Sequence, residues 1–219
     1  MLRASRVEKS YGQLKVLKGI DLEVQKSEVV AIIGASGAGK STLLHILGTL
    51  DSPDQGQIFI HDKDVFSQSA KSLAAFRNKS IGFVFQFHNL LPEFTALENV
   101  MMPGLISNAS AEPGIRKKAQ ELMDMLGLTS RMEHKPAELS GGEQQRTAVA
   151  RALINSPDLI LADEPSGNLD SKNALDLHNL FFQLRKDLGH TFIIVTHNDE
   201  LSKMADRRIE LKDGVVVKE

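Results

Sequence analysis

Residues 34–42 read Gly-Ala-Ser-Gly-Ala-Gly-Lys-Ser-Thr, and the apolar run Val29-Val30-Ala31-Ile32-Ile33 leads straight into them. A strand, a glycine-rich loop ending in Gly-Lys-Ser, and then a helical apolar pattern (Leu43, Leu44, Ile46, Leu47) is the order that phosphate binding requires. Gly34, Gly37 and Gly39 let the backbone turn tightly round an anion with no Cβ in the way. The amides of the loop, carried also by Ala35, Ser36 and Ala38, and the dipole of the following helix then point at phosphate. Lys40 reaches the outer phosphates, the Ser41 hydroxyl suits a Mg²⁺ ion, and Thr42 completes the motif. A glycine turn followed by a chance Lys-Ser is the alternative, and the strand before and the helix after disfavour it. The chain is expected to bind a nucleoside triphosphate.

A length of 219 residues allows one large α/β domain, or one carrying an inserted subdomain, with a sizeable core. The net charge of −2 argues against a nucleic-acid backbone footprint, so no nucleic-acid partner is expected. Cysteine is absent, which removes disulfides, thiolate zinc sites and a cysteine nucleophile. No stretch approaches the roughly twenty apolar residues of a membrane span, and no apolar signal region follows Met1-Leu2-Arg3-Ala4-Ser5. The chain is therefore expected at the cytoplasmic face of any membrane it serves, acting through a partner.

Short strand-like segments occupy residues 2–8, 15–24 and 57–60, with turn residues at Ser52-Pro53-Asp54-Gln55-Gly56. Four apolar runs read as buried parallel strands: Val29–Ile33, Ile81–Phe85, Leu159–Ala162 and Phe192–Val195. Each ends in polar residues, as strands do when their C-terminal ends build a site. Between residues 90 and 138 no strong strand pattern occurs. Ile115, Ala119, Leu122, Met123 and Leu126 recur there at helical spacing, opposite Arg116, Lys117, Lys118 and Glu121. The spacing predicts a helical subdomain over about 88–150, inserted in a single α/β domain.

Two further segments carry chemistry. Residues 159–164, Leu-Ile-Leu-Ala-Asp-Glu, form a buried strand ending in two acids. Asp163 suits a place near Mg²⁺, and Glu164 suits polarising a water for in-line attack on a γ-phosphate. A strand end with a solvated acidic turn looks the same in isolation; the upstream phosphate loop favours the catalytic reading. Residues 139–146, Leu-Ser-Gly-Gly-Glu-Gln-Gln-Arg, precede a helical pattern. Ser140 can cap that helix, and Gly141-Gly142 leave amides open to an anion.

Phosphate loop, Gln86, Leu-Ser-Gly-Gly-Glu, Asp163-Glu164, Gly167-Asn168-Leu169-Asp170 and His197 occur in that order. In this the whole chain resembles the ATP-binding subunits of ATP-binding cassette (ABC) transporters. The resemblance implies a P-loop NTPase (RecA-like) α/β core, an N-terminal antiparallel β subdomain and an inserted helical subdomain. It implies ATP hydrolysis with Mg²⁺, coupled to transport. Tyr11 would stack on adenine. Gln86 would touch Mg²⁺ and the attacking water, and His197 would hold the γ-phosphate. Asp170 would cross to the partner's phosphate loop. A homodimer would sandwich two ATP molecules, each between one chain's Lys40 loop and the other's Ser140 segment. Transmembrane permease subunits would be the further partners, and the chain itself would not touch the cargo.

Residues 86–103 narrow the resemblance to ATPases of lipoprotein-releasing systems in the bacterial inner membrane, with macrolide-export and cell-division ATPases as near relatives. There Phe87, Leu90, Leu91 and Phe94 would floor a groove for the permease's coupling helix; the alternative is that they are core. Three positions depart from the common pattern: Ser166 in place of Thr, Asn198 in place of Asp, and Gln144-Gln145 in place of Arg-Gln. None of these removes a catalytic group.

Overall fold

The computed structural model describes residues 1–218. In chain order the elements are β1 (Leu2–Tyr11), β2 (Leu14–Val24), β3 (Val29–Ile33), α1 (Lys40–Leu47), β4 (Gln55–Ile60), β5 (Lys63–Asp64) and α2 (Ala70–Ser80), then β6 (Ile81–Phe85), α3 (Ala96–Ser107), α4 (Glu112–Met125), α5 (Gly141–Leu153) and β7 (Leu159–Asp163), then α6 (Ser171–Leu188), β8 (Thr191–Val195), α7 (Asp199–Met204), β9 (Arg207–Lys212) and β10 (Val215–Lys218). They fall into two compact units: residues 1–77 with the chain from Phe181 onward, and residues 78–180.

In the first unit the early strands form an antiparallel sheet in the order β2-β1-β4-β5. Their alternation buries Leu2, Ala4, Leu22, Val24, Ile58 and Ile60, the pattern of a sheet with one covered face. The turn expected over residues 52–56 is shorter than its residues suggested, because Gln55 and Gly56 already belong to β4. Beside this sheet lies a mostly parallel one. β3 pairs in parallel with β8 on one side and β9 on the other, and β10 closes it antiparallel to β9. β3 and β8 are buried almost throughout, as continuous apolar strands between two covered faces must be. α1 contributes Leu43, Leu44, Ile46 and Leu47 to that core. Each such side chain is worth about 1.5–3 kcal/mol on burial.

In the second unit β6 and β7 run parallel, in a register that sets Phe85 opposite Asp163. Between these strands the described chain holds α3, α4, α5 and three short 3₁₀ turns, with no strand. The stripe anticipated from Ile115 to Leu126 forms α4, which buries Ala119, Leu122 and Met123. α3 opens on a capping box in which the Thr95 hydroxyl accepts from the Glu98 amide at 3.2 Å and the Glu98 carboxylate accepts from the Thr95 amide at 2.8 Å. Pro103 lies inside α3. Its carbonyl accepts from the side chains of Asn78 and Asn155 at 3.0 and 3.3 Å.

Candidate nucleotide site

In the first unit the C-terminal ends of β3 and β8 lie side by side, with Ile32 paired to Val195. The glycine loop leaves from one and Thr196-His197 from the other. Gly34, Gly37 and Gly39 have φ of 147°, 78° and 102°, conformations that suit glycine alone. Space imposes the same choice at Gly34, where an added Cβ would stand 2.1 Å from the Leu211 carbonyl oxygen. α1 begins at Lys40 behind a left-handed Gly39, with no side chain capping it. An uncapped helix start behind a glycine loop has the backbone geometry that suits an anion. The Lys40 ammonium folds over the loop and donates to the carbonyls of Gly34 and Ala35 at 2.9 and 3.1 Å.

His197 is exposed just past the end of β8. Its neighbours are fixed: the Thr196 amide donates to the Ile32 carbonyl at 3.1 Å, and Asn198 caps α7 through the Leu201 amide at 2.9 Å. Tyr11 ends β1 with half its surface exposed, 51%. Its hydroxyl donates to Oδ2 of Asp51 at 2.7 Å.

The second unit assembles the acids and Gln86. Because β6 and β7 are paired, Gln86 and Glu164 follow directly on the matched residues Phe85 and Asp163. Glu164 has φ of 46°, a left-handed conformation that is rare outside glycine and concentrates at functional positions. The chain then turns, with the Gly167 amide donating to the Glu164 carbonyl at 3.0 Å. Gln86 and Asn168 grip each other: Gln86 Nε2 donates to Asn168 Oδ1 at 3.3 Å, and Asn168 Nδ2 donates to the Gln86 carbonyl at 3.1 Å. A Cβ on Gly167 would stand 2.9 Å from Gln86 Nε2, so the lack of one there admits the glutamine. Asp170 is engaged at the start of α6, accepting from the Asn173 amide at 2.9 Å and from Asn173 Nδ2 at 2.6 Å. These bonds hold its carboxyl below the ordinary carboxylate range.

The same unit holds the Ser140-Gly141-Gly142 segment. Ser140 caps α5 in a full capping box, its hydroxyl accepting from the Glu143 amide at 3.3 Å and donating to Glu143 Oε2 at 2.8 Å. Glu143 also accepts from Arg131 Nε at 2.7 Å. The Ser140 amide first, and Arg131 second, push the Glu143 carboxyl down to about 2.

After Gln86 the chain passes through Phe87, Leu91 and Phe94, which are 71%, 41% and 38% exposed, whereas Leu90 is half-buried. Buried Asn99 shapes this loop. Its side chain accepts from the Leu91 amide at 2.7 Å and donates to the carbonyls of Leu91, Phe94 and Thr95 at 3.1, 3.2 and 2.9 Å. Asn99 in the second unit and Asp51 in the first are residues that sequence reasoning passed over. An Asn inside an apolar helix stretch is a signal that could have found the first of them.

The chain matches the model of the ABC transporter family over residues 17–167. Superposed on the dimeric structure of a post-hydrolysis ATP-binding cassette bound to ADP and Pi, it gives a TM-score of 0.91 at 41% identity, covering 100% of this chain and 97% of that one. The protein belongs to the ABC transporter family and is an ATP-binding, ATP-hydrolysing cassette of it. Within the family its relatives are lipoprotein-releasing system ATP-binding proteins, LolD. It is 58% identical to that of Bacteroides thetaiotaomicron over 219 residues, with both chains covered in full. It is 56% identical to that of Cytophaga hutchinsonii over 217 residues, 99% of each chain.

Proposed function

We propose that this chain is the ATPase subunit of a lipoprotein-releasing transporter, powering the detachment of lipoproteins from the bacterial inner membrane. The observation that carries the reading is end-to-end identity of 58% with a lipoprotein-releasing ATP-binding protein. An ATP cradle and a separate exposed apolar loop accompany it, as a motor that works through partners needs. Those partners are transmembrane permease subunits, which hold it peripherally at the cytoplasmic face. It acts as a homodimer and does not touch the cargo. No helix among the described residues is long and apolar enough to cross a membrane.

In this reading the loop from Gly34 to Thr42 binds the phosphates, Lys40 moving from its carbonyl partners to the outer phosphates, and Tyr11 stacks on the base. Glu164 polarises the attacking water, Gln86 orients it, and His197 holds the γ-phosphate. Ser140, Gly141, Gly142 and Asp170 serve the nucleotide of the partner copy. The donor set also fits Mg²⁺. No group of three or more His, Asp or Glu among the described residues could hold a metal alone. Mg²⁺ characteristically takes one or two protein oxygens and completes its shell from phosphate and water. Ser41, Gln86 and Asp163 would hold it, and bound there it supplies charge neutralisation on the phosphates.

The test is reconstitution with the membrane subunits of a lipoprotein-releasing system in proteoliposomes. ATP-dependent release of a lipoprotein supports the reading. If the chain instead assembles with a single membrane subunit that governs a cell-wall hydrolase, or with a macrolide exporter, the reading fails.

A further inference from the structure

The phenol of Tyr11 is tied down by a carboxylate whose oxygens are both engaged. Oδ2 of Asp51 accepts from the Tyr11 hydroxyl at 2.7 Å. Oδ1 accepts from Lys9 Nζ and from the Ser52 amide, each at 2.7 Å. The Lys9 ammonium goes on to donate to the Ser52 carbonyl at 2.7 Å, stands 3.9 Å from Asp54 and lies 5.3 Å from the Tyr11 ring centroid. Lys9 and Tyr11 are two residues apart on β1 and so share a face. Lys9 is buried, at 8% exposure, while Tyr11 is 51% exposed. The anchor is inside and the ring outside.

Asp51 lies just beyond the C-terminal end of α1, the helix whose first residue is Lys40. Eight helical residues span roughly 12 Å. One carboxylate thus joins the ring to the far end of the helix that starts at the phosphate cradle.

We propose that Asp51 is a positioning residue for nucleotide binding: by holding the Tyr11 hydroxyl, with Lys9 holding Asp51, it presets the ring face that receives adenine. This rests on the reading that Tyr11 stacks on the base. An untethered exposed tyrosine samples several rotamers, and a ligand must then freeze it at a cost in affinity. The tether removes that cost before ATP arrives. Its electrostatic mark is mutual. The bond to Asp51, with burial and the carboxylate's charge behind it, raises the Tyr11 phenol above its ordinary value, against a lowering by the Thr42 hydroxyl and Lys9. On Asp51 burial acts upward, but Lys9 and Tyr11 together hold the carboxyl below its ordinary value.

The sequence supplies a clean readout. Tyr11 is the only tyrosine, and tryptophan is absent, so tyrosinate absorbance and intrinsic fluorescence report this ring alone. The full chain and its Tyr11→Phe, Asp51→Ala and Tyr11→Ala variants are titrated with ATP and, separately, with inorganic tripolyphosphate, which has no base. Tyr11→Phe and Asp51→Ala are each expected to weaken ATP binding roughly three- to tenfold, the scale of immobilising one side chain. The Tyr11→Phe/Asp51→Ala double variant should lose no more than either single one, and tripolyphosphate binding should stay unchanged. In Asp51→Ala the tyrosine should ionise at a lower pH than in the parent chain. Wild-type ATP affinity in Tyr11→Phe, with Tyr11→Ala weakened, overturns the positioning role and leaves stacking intact. Wild-type affinity in Tyr11→Ala overturns stacking itself. An equal loss for ATP and tripolyphosphate shows that the cluster only staples the fold, and also overturns the proposal. If Asp51→Ala does not fold, Tyr11→Phe decides alone, since it leaves Asp51 and Lys9 in place.

Discussion

Arg151 holds Asn89: from the last turn of α5 its Nη1 donates to the Asn89 carbonyl at 2.6 Å, while Nη2 donates to the carbonyl of His88 at 2.6 Å. Both loop residues have positive φ, 23° at His88 and 50° at Asn89, so the guanidinium fork secures a backbone that would otherwise relax. α5 begins just after its cap, Ser140. One helix therefore carries the Ser140 cap at one end and a clamp on the loop after Gln86 at the other. Burial holds His88 below its usual value, with Arg151 repelling a proton there.

Arg151→Ala should lower stability by about 1.5–3 kcal/mol, the scale of hydrogen bonds to a charged group. Arg151→Lys should recover less than half of that, because an ammonium cannot serve both carbonyls with a planar fork. Calorimetric melting of the three proteins checks it. A lysine variant as stable as the parent would mean that charge, and not the fork, secures the loop.

Glu164→Gln should bind ATP as the parent does and lose turnover by roughly 10²–10⁴-fold, the range of a general base. The amide keeps the shape but takes no proton. With ATP present, the variant should also run further toward dimer in sizing chromatography than the parent. Retained turnover in the purified variant removes Glu164 from the chemistry.

What could be read in advance was local. The glycine loop, the apolar strands β3, β6, β7 and β8, and the Ser140 cap each lie within a short window, where spacing alone expresses the physics. α2 was not legible because it has no fully buried residue and hence no apolar stripe. β9 was hidden because Arg-Arg-Ile-Glu-Leu-Lys buries only two side chains of six. The positioning bonds were out of reach for another reason. Tyr11 and Asp51 are 40 residues apart, and Arg151 and Asn89 are 62 apart. No local pattern marks a pair that only the fold brings together.

The Glu143 carboxyl gives a pH test of the Ser140 cap. Its folded value is about 2 against an ordinary 4.5. A carboxyl depressed on folding stabilises fully above its unfolded value and loses that contribution as pH falls toward its folded one. Glu143→Gln should therefore be less stable than the parent near neutrality, with the difference shrinking between about pH 4.5 and 2. Denaturant melts across that range measure it. A difference that stays constant with pH would assign the loss to packing and not to the charged cap.

Leu91→Asp and Phe94→Asp separate docking from folding. If these side chains were core, a buried unpaired charge would cost several kcal/mol, and ATP binding would fall with the fold. At 41% and 38% exposure they are instead placed to carry a carboxylate into water. The loop's shape rests on Asn99, whose bonds to Leu91 and Phe94 use backbone atoms that the substitutions leave intact. Melting temperature and ATP affinity of the isolated variants should therefore stay near those of the parent. If this loop docks on an apolar surface of the permease, the same carboxylate would meet it with no counter-charge, and the complex should fail to form, taking transport with it. Phe87→Asp, at the most exposed of the three positions with 71%, should behave likewise with the smallest change in melting temperature. Pull-down of the membrane subunits alongside melting of each variant decides the matter: intact complexes from all three would show that this loop is not the docking surface.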